Sequence, residues 1–207
     1  MNPVLLLSTS LGFGALSGVN LYLATFLTGV AIRFNILQVQ DHFQGLESLA
    51  NPWIIGISGV ICALEMVADK IPVVDSVWDT VHTLIRPIGA MAACLSSLGA
   101  VSTEWSVAAA LLAGMASATT HTAKMGTRLI ANASPEPVSN AVLSVAEDAA
   151  VATGTILLLR YPYVTASVCL AVLIALWFII PKIFCKIGGF LTVIKGGFSR
   201  KAQAPVL

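Results

Sequence analysis

Long apolar stretches without charge alternate with short polar joints along this chain. Met1 to Ile32, Ser48 to Leu64, Pro87 to Thr103, Trp105 to Thr120 and Tyr161 to Pro181 carry no Asp, Glu, Lys or Arg. A helix needs about 20 mostly apolar residues to cross the hydrocarbon core of a bilayer. Pro137 to Leu159 is long and apolar enough to join them, although Glu147 and Asp148 stand near its middle. The pattern predicts an all-α fold: a polytopic membrane helical bundle of about six spans.

Breaks are visible inside this pattern. Lys70-Ile71-Pro72 predicts an end near Ile71 and a restart at Pro72, since proline disfavours a helical residue before it and suits a first turn. Pro72 to Ile85 then reads as an amphipathic helix, lying on the membrane or dipping in as a re-entrant segment. In the first span Gly14, Ser17, Gly18 and Asn20 cluster at membrane depth. Two readings stay open there: an unwound turn beside a polar cavity, or close helix packing through small residues.

Gly14-Ala15-Leu16-Ser17-Gly18 lies over Gly114-Met115-Ala116-Ser117-Ala118, and Leu64 to Asp69 lies over Leu143 to Asp148. A small-residue break, an acidic helix and an apolar span recur in that order. This layout suggests two inverted three-span repeats, 1–103 and 104–182, within one transmembrane domain. Residues 183–207 read as a basic amphipathic C-terminal segment.

Composition narrows the class. Hydrophobic residues make up 57% and charged ones 10%, and mean hydropathy is +0.89, whereas a soluble domain is about 25% charged. A water-soluble enzyme, a disordered chain and a nucleic-acid-binding module are excluded. The net charge of +1 offers no overall attraction to acidic partners. Cys62, Cys94, Cys169 and Cys185 have no metal-type spacing and read as small hydrophobes. No basic region follows Met1, so the first segment reads as a retained span. With six spans, Lys70, Arg86, Lys124, Arg128, Lys182, Lys186, Lys195, Arg200 and Lys201 share a side against Arg33 and Arg160. That bias puts both termini in the cytoplasm.

Charge in a bilayer is costly, at about 2.5–3.5 kcal/mol or more at a helix centre, so the few ionisable residues are candidate site residues. Glu65 and Asp69 are four apart and share a helix face. Asp75, Asp79, His82 and Arg86 share another, and Asp75, Asp79 and His82 are the best metal trio. His121, Lys124 and Arg128 form a third set. Glu147 and Asp148 stand in the fifth span, with Ser144 one turn before them. The two acids there need a cation, a proton or basic partners, for which Lys70, Lys124 and Arg128 are the candidates. The acidic helices and the basic end of the fourth span are expected to converge on one polar site for an ion or substrate.

The run Leu64-Glu65-Met66-Val67-Ala68-Asp69-Lys70-Ile71-Pro72-Val73-Val74-Asp75, continued by Asp79, His82 and Arg86-Pro87, resembles a bacterial integral-membrane family known as a domain of unknown function, four-one-two-six. His121, Lys124, Arg128, Ser134-Pro135, Asn140, Ser144 and Glu147-Asp148 resemble it as well. The resemblance extends to about residue 180. It implies a multi-pass protein of the bacterial inner membrane and supports these motif residues; it implies no substrate.

Three function classes follow. A small transporter or channel-like permease fits the interrupted helices and the acids at membrane depth. It would handle a small ion, a small solute or a lipid headgroup in the bilayer, and at this size it suits a homodimer. An intramembrane metal-dependent enzyme has less behind it, since no H-E-x-x-H, G-x-S-x-G or P-loop occurs. A scaffold or accessory subunit would use the charges for assembly. The sequence leaves any cofactor unknown.

Overall fold

The computed structural model describes residues 2–36, 47–96, 102–132 and 137–202. Among these are six helices and no strand: α1 (Pro3–Arg33), α2 (Pro52–Ala68), α3 (Pro72–Ser96), α4 (Thr103–Asn132), α5 (Pro137–Arg160) and α6 (Pro162–Ala202). A 3-10 turn at Glu47–Ala50 precedes α2. Ser134 and Pro135 lie outside the described residues.

Local chemistry explains the helix starts. Five of the six helices open on proline, whose fixed φ and missing N–H cost nothing in a first turn. Asn2 and Asn51 cap α1 and α2, each side-chain oxygen accepting at 2.9 Å from the N–H two residues on. A restart occurs at Pro72 as expected, but α3 does not stop before Pro87. The expected amphipathic helix 72–85 and the start of the third span form one helix. Pro87 forgoes the helical bond to the Thr83 carbonyl, while Arg86 and Ala90, buried on either side of it, hold the helix in place. α6 likewise runs through Pro181, so the boundary expected at residue 182 falls inside a helix.

The bundle is inside-out relative to a soluble protein. On α3, Asp75, Asp79, His82 and Arg86 are buried, while Val73, Val77, Val81, Leu84 and Ile88 are exposed. Pro72 to Ile85 is thus neither a surface helix with a solvated polar face nor a segment separate from the third span. Trp53, Trp177 and Phe178 also face outward. So large an apolar surface is unfavourable in water and suits a lipid environment. α1, Ala141–Arg160 and Pro162–Cys185 are long and apolar enough to cross a membrane. Phe13, Ala24, Ala90, Ala113, Val151 and Leu158 form an apolar cluster inside the bundle.

α1 is the central element and packs against all five other helices. Its contact with α4 depends on glycine. A Cβ on Gly14 would stand 2.6 Å from Ala113 Cα, and one on Gly18 would stand 2.8 Å from Ser117 Cα. Positions four apart on α1 thus meet positions four apart on α4 in the same order, so the two helices run parallel. α5 runs the other way, with Leu16 on Gly154 and Leu158 on Gly12. α3 also opposes α4, with Met91 on Gly114 and Arg86 on His121. Ile183 on Gly126 and Thr165 near Gly12 set α6 parallel to α4 and α1.

α2 opposes α1, with Ile55 at Gly29 and Phe26 at Gly59. Both α2 and α3 therefore oppose α1: α2 lies along its C-terminal half and α3 along its N-terminal half. Two halves related by inversion would set α1 and α4 antiparallel. Their parallel contact gives the inverted repeat no support from its own leading helices.

Candidate functional site

The site is built around a break in α1. Asn20 leaves helical geometry, with φ −150° and ψ 99°. In an unbroken helix the Val19 carbonyl would accept from the Leu23 N–H. Here Leu23 N–H donates to Asn20 Oδ1 at 2.9 Å, and Lys124 Nζ donates to the Val19 carbonyl at 3.2 Å. Arg86 Nη1 donates to the Gly18 carbonyl at 3.0 Å, and Thr120 Oγ1 donates to that of Ala15 at 2.9 Å. Asn20 thus caps the second half-helix, while two cations meet the carbonyl end of the first, where the helix dipole is negative. Gly14 and Gly18 pack closely on α4, and the residue outside helical geometry is Asn20. Ser17 is fully buried beside them.

Asn20 Nδ2 also donates to Asp148 Oδ1 at 3.1 Å, which ties the break to the middle of α5. Around it, α2, α3, α4 and α5 converge. Arg128 holds Glu147 with a fork, Nη2 to Oε2 at 2.6 Å and Nε to Oε1 at 3.3 Å. It also reaches Asp69 Oδ2 at 3.2 Å and Asp75 Oδ1 at 3.5 Å. Lys124 Nζ lies 3.5 Å from Glu65, Asp69 and Glu147 alike. Arg86 Nη2 donates to Glu65 Oε1 in a tight pair and stands 3.3 Å from Asp79 Oδ1.

The histidines are fixed by their partners. Arg86 Nη1 meets His121 Nδ1 at 2.9 Å, and a guanidinium can only donate. His121 Nδ1 is therefore the acceptor, and Nε2–H donates to the Asp79 carbonyl at 3.0 Å. In this arrangement His121 is neutral. His82 donates from Nδ1 to the Trp78 carbonyl at 2.7 Å, meets the Tyr22 hydroxyl at 2.9 Å and stacks on Trp78.

The structure thus brings together Glu65, Asp69, Asp75, Asp79, His121, Lys124, Arg128, Glu147 and Asp148. Ser144 is buried one turn ahead of Asp148. Lys70 does not join them: it is exposed, and its Nζ donates to the Met66 carbonyl of its own helix at 2.6 Å. Its neighbour Asp69 faces inward, and adjacent helical positions point apart. The metal trio does not assemble either. Asp75 faces Arg128, Asp79 faces Arg86 and His82 faces Tyr22. Among the described residues no group of three His, Cys, Asp or Glu side chains is placed to hold a metal ion.

Two participants went unassigned from sequence. Arg86 was placed on the acidic face of α3 but not in the site, although its spacing to Asp79 and His82 was the available signal. Tyr22 had no signal beyond lying two residues after Asn20.

A family model described as a domain of unknown function (DUF4126) matches residues 7–182. No curated protein matches, and no solved structure does.

Proposed function

Because the chain belongs to the DUF4126 family, whose description assigns no activity, we propose its function from the buried centre: a small membrane transporter for cations. One observation carries this reading. Six carboxylates, Glu65, Asp69, Asp75, Asp79, Glu147 and Asp148, surround three cations, Arg86, Lys124 and Arg128, at the break in α1. Unpaired buried charge is expensive, so the surplus acids call for protons or small cations. An anion fits poorly, since each of the three cations is already engaged by carboxylates. A discontinuous helix with its site near mid-membrane suits alternating exposure of such a site.

The test is cation flux in liposomes holding the purified chain. Wild type should move protons or an alkali cation down an imposed gradient. Asp148→Asn should abolish flux while keeping its melting temperature within a few degrees. Absence of cation flux in wild type, or undiminished flux in Asp148→Asn, sinks the reading. A second reading has its own support: the ion pairs tie four helices together, as a scaffold would. It expects a lower melting temperature in Asp148→Asn and no flux in wild type.

A further inference from the structure

Asp79 is the surplus acid whose surroundings are most unusual. Its side chain is 2% exposed, yet neither carboxylate oxygen accepts a hydrogen bond from the described residues. A buried ionised carboxylate normally accepts several. Glu65, which is fully buried, carries a related defect. Its Oε1 takes Arg86 and faces Lys124 at 3.5 Å, while its Oε2 has no hydrogen-bond partner. Both carboxylates lie on the same nitrogen, Arg86 Nη2. Two carboxylates on one cation in a dry site cannot comfortably both ionise.

We propose that Asp79 and Glu65 together form a proton-binding site, one proton being held between the two carboxylates on Arg86. Asp79 Oδ1 has Arg86 Nη2 at 3.3 Å but no hydrogen bond, and its Oδ2 has none either, so the pair has room for a proton. A proton taken from water forms an O–H bond on one carboxylate of the pair, and the other carboxylate supplies the acceptor that this O–H needs. One proton thus satisfies one orphan oxygen on each residue. Release reverses the step and returns the proton to water.

The other groups around the pair leave this assignment intact. On α3, His82 is occupied by Tyr22 and the Trp78 carbonyl. On α4, His121 binds the Asp79 backbone and Arg86, and has no free nitrogen to take the proton. Lys124 divides itself among Glu65, Asp69 and Glu147. On α2, Asp69 is held by Arg128. From α5, Glu147 is held by Arg128 and Asp148 by Asn20. α1 contributes the Gly18 carbonyl and Tyr22. The proposal deepens the cation reading by naming the cation, and its test measures no flux, so either can fail alone.

The experiment is infrared spectroscopy of the full chain in nanodiscs at neutral pH, in H2O and D2O. Wild type should show a protonated-carboxyl stretch that shifts in D2O. Asp79→Asn should remove one component of it, with the melting temperature kept, because the amide donates to Glu65 in place of the shared proton. Glu65→Gln should remove the same component, because Asp79 then ionises as the counter-ion of Arg86. Lys70→Ala should leave it unchanged.

If no protonated band exists in wild type, the proposal fails, whether or not any variant folds. It also fails if both variants keep every component. Loss of the band on adding sodium or potassium at fixed pH, with a raised melting temperature, would assign the pair to a metal ion and overturn the proton.

Discussion

At the scale of single residues, Arg86 decides the chemistry of the centre. It is fully buried and serves two carboxylates, the Gly18 carbonyl and His121 at once. Removing one partner of a buried pair leaves the other uncompensated and costs about 3–5 kcal/mol. Arg86→Met should lose that much in reversible unfolding by denaturant in detergent. Arg86→Met combined with Glu65→Met should recover most of it, because the stranded charge is gone. If the double variant is as unstable as the sum of the singles, the pair is not the coupled unit described here. Lysine at 86 should not substitute, since one ammonium cannot match a fork that donates to Glu65, the Gly18 carbonyl and His121 at once. Much of this centre was legible in the residues. Helical spacings of four and seven placed Glu65 with Asp69 and Asp79 near Arg86 on shared faces, and scarcity of charge marked them as special. What spacing could not supply is which side of a helix end faces in. Lys70 follows Asp69 directly and yet points out, while Arg86, one turn past His82, points in.

At the scale of elements, α1 works because its two halves are finished separately. Asn20 supplies the cap of the second half and the donor to Asp148. Loss of such a cap costs about 1 kcal/mol. Asn20→Ala should therefore fold, with amide exchange accelerated at residues 21–24 and unchanged in the middle of α4, as read by hydrogen-exchange mass spectrometry. Unchanged exchange at Leu23 would mean that the break needs no cap. Asn20→Asp should be worse than Asn20→Ala, because it sets a second carboxylate against Asp148 inside the bundle. The break was half-legible. Glycine and asparagine at membrane depth announced an irregularity, but the same glycines are what close α1 on Ala113 and Ser117. Packing and interruption use the same residue types, and only the neighbouring helix tells them apart. Pro72 and Pro87 show the same ambiguity: one starts α3 and the other is carried inside it.

At the scale of the molecule, the direction of the helices has a consequence for how the chain sits in a membrane. α1, α4 and α6 run one way, while α2, α3 and α5 run the other. Because the joint at Asp69–Ile71 does not reverse the chain, we expect the six helices to make an odd number of traverses and the termini to fall on opposite sides. This could not be read from hydropathy, which counts apolar runs and assumes a reversal at every joint. The charge pattern then sharpens. The side that receives the ends of α1 and α6 carries Arg33, Lys182, Lys186, Lys195, Arg200 and Lys201, and the side where α5 ends and α6 begins carries Arg160. Lys124, Arg128 and Arg86 are buried in the centre and belong to neither. By the excess of basic residues on cytoplasmic faces, the C-terminus should be cytoplasmic and the N-terminus on the far side. An impermeant thiol reagent can decide this in cells, since Cys185 is exposed near the C-terminal end of the bundle. With the other cysteines replaced, Cys185 should react only after the membrane is opened, and Asn2→Cys should react in intact cells. Labelling of both from one side would restore six alternating spans, and with them the antiparallel relation of α1 and α4 that the Gly14–Ala113 and Gly18–Ser117 contacts contradict.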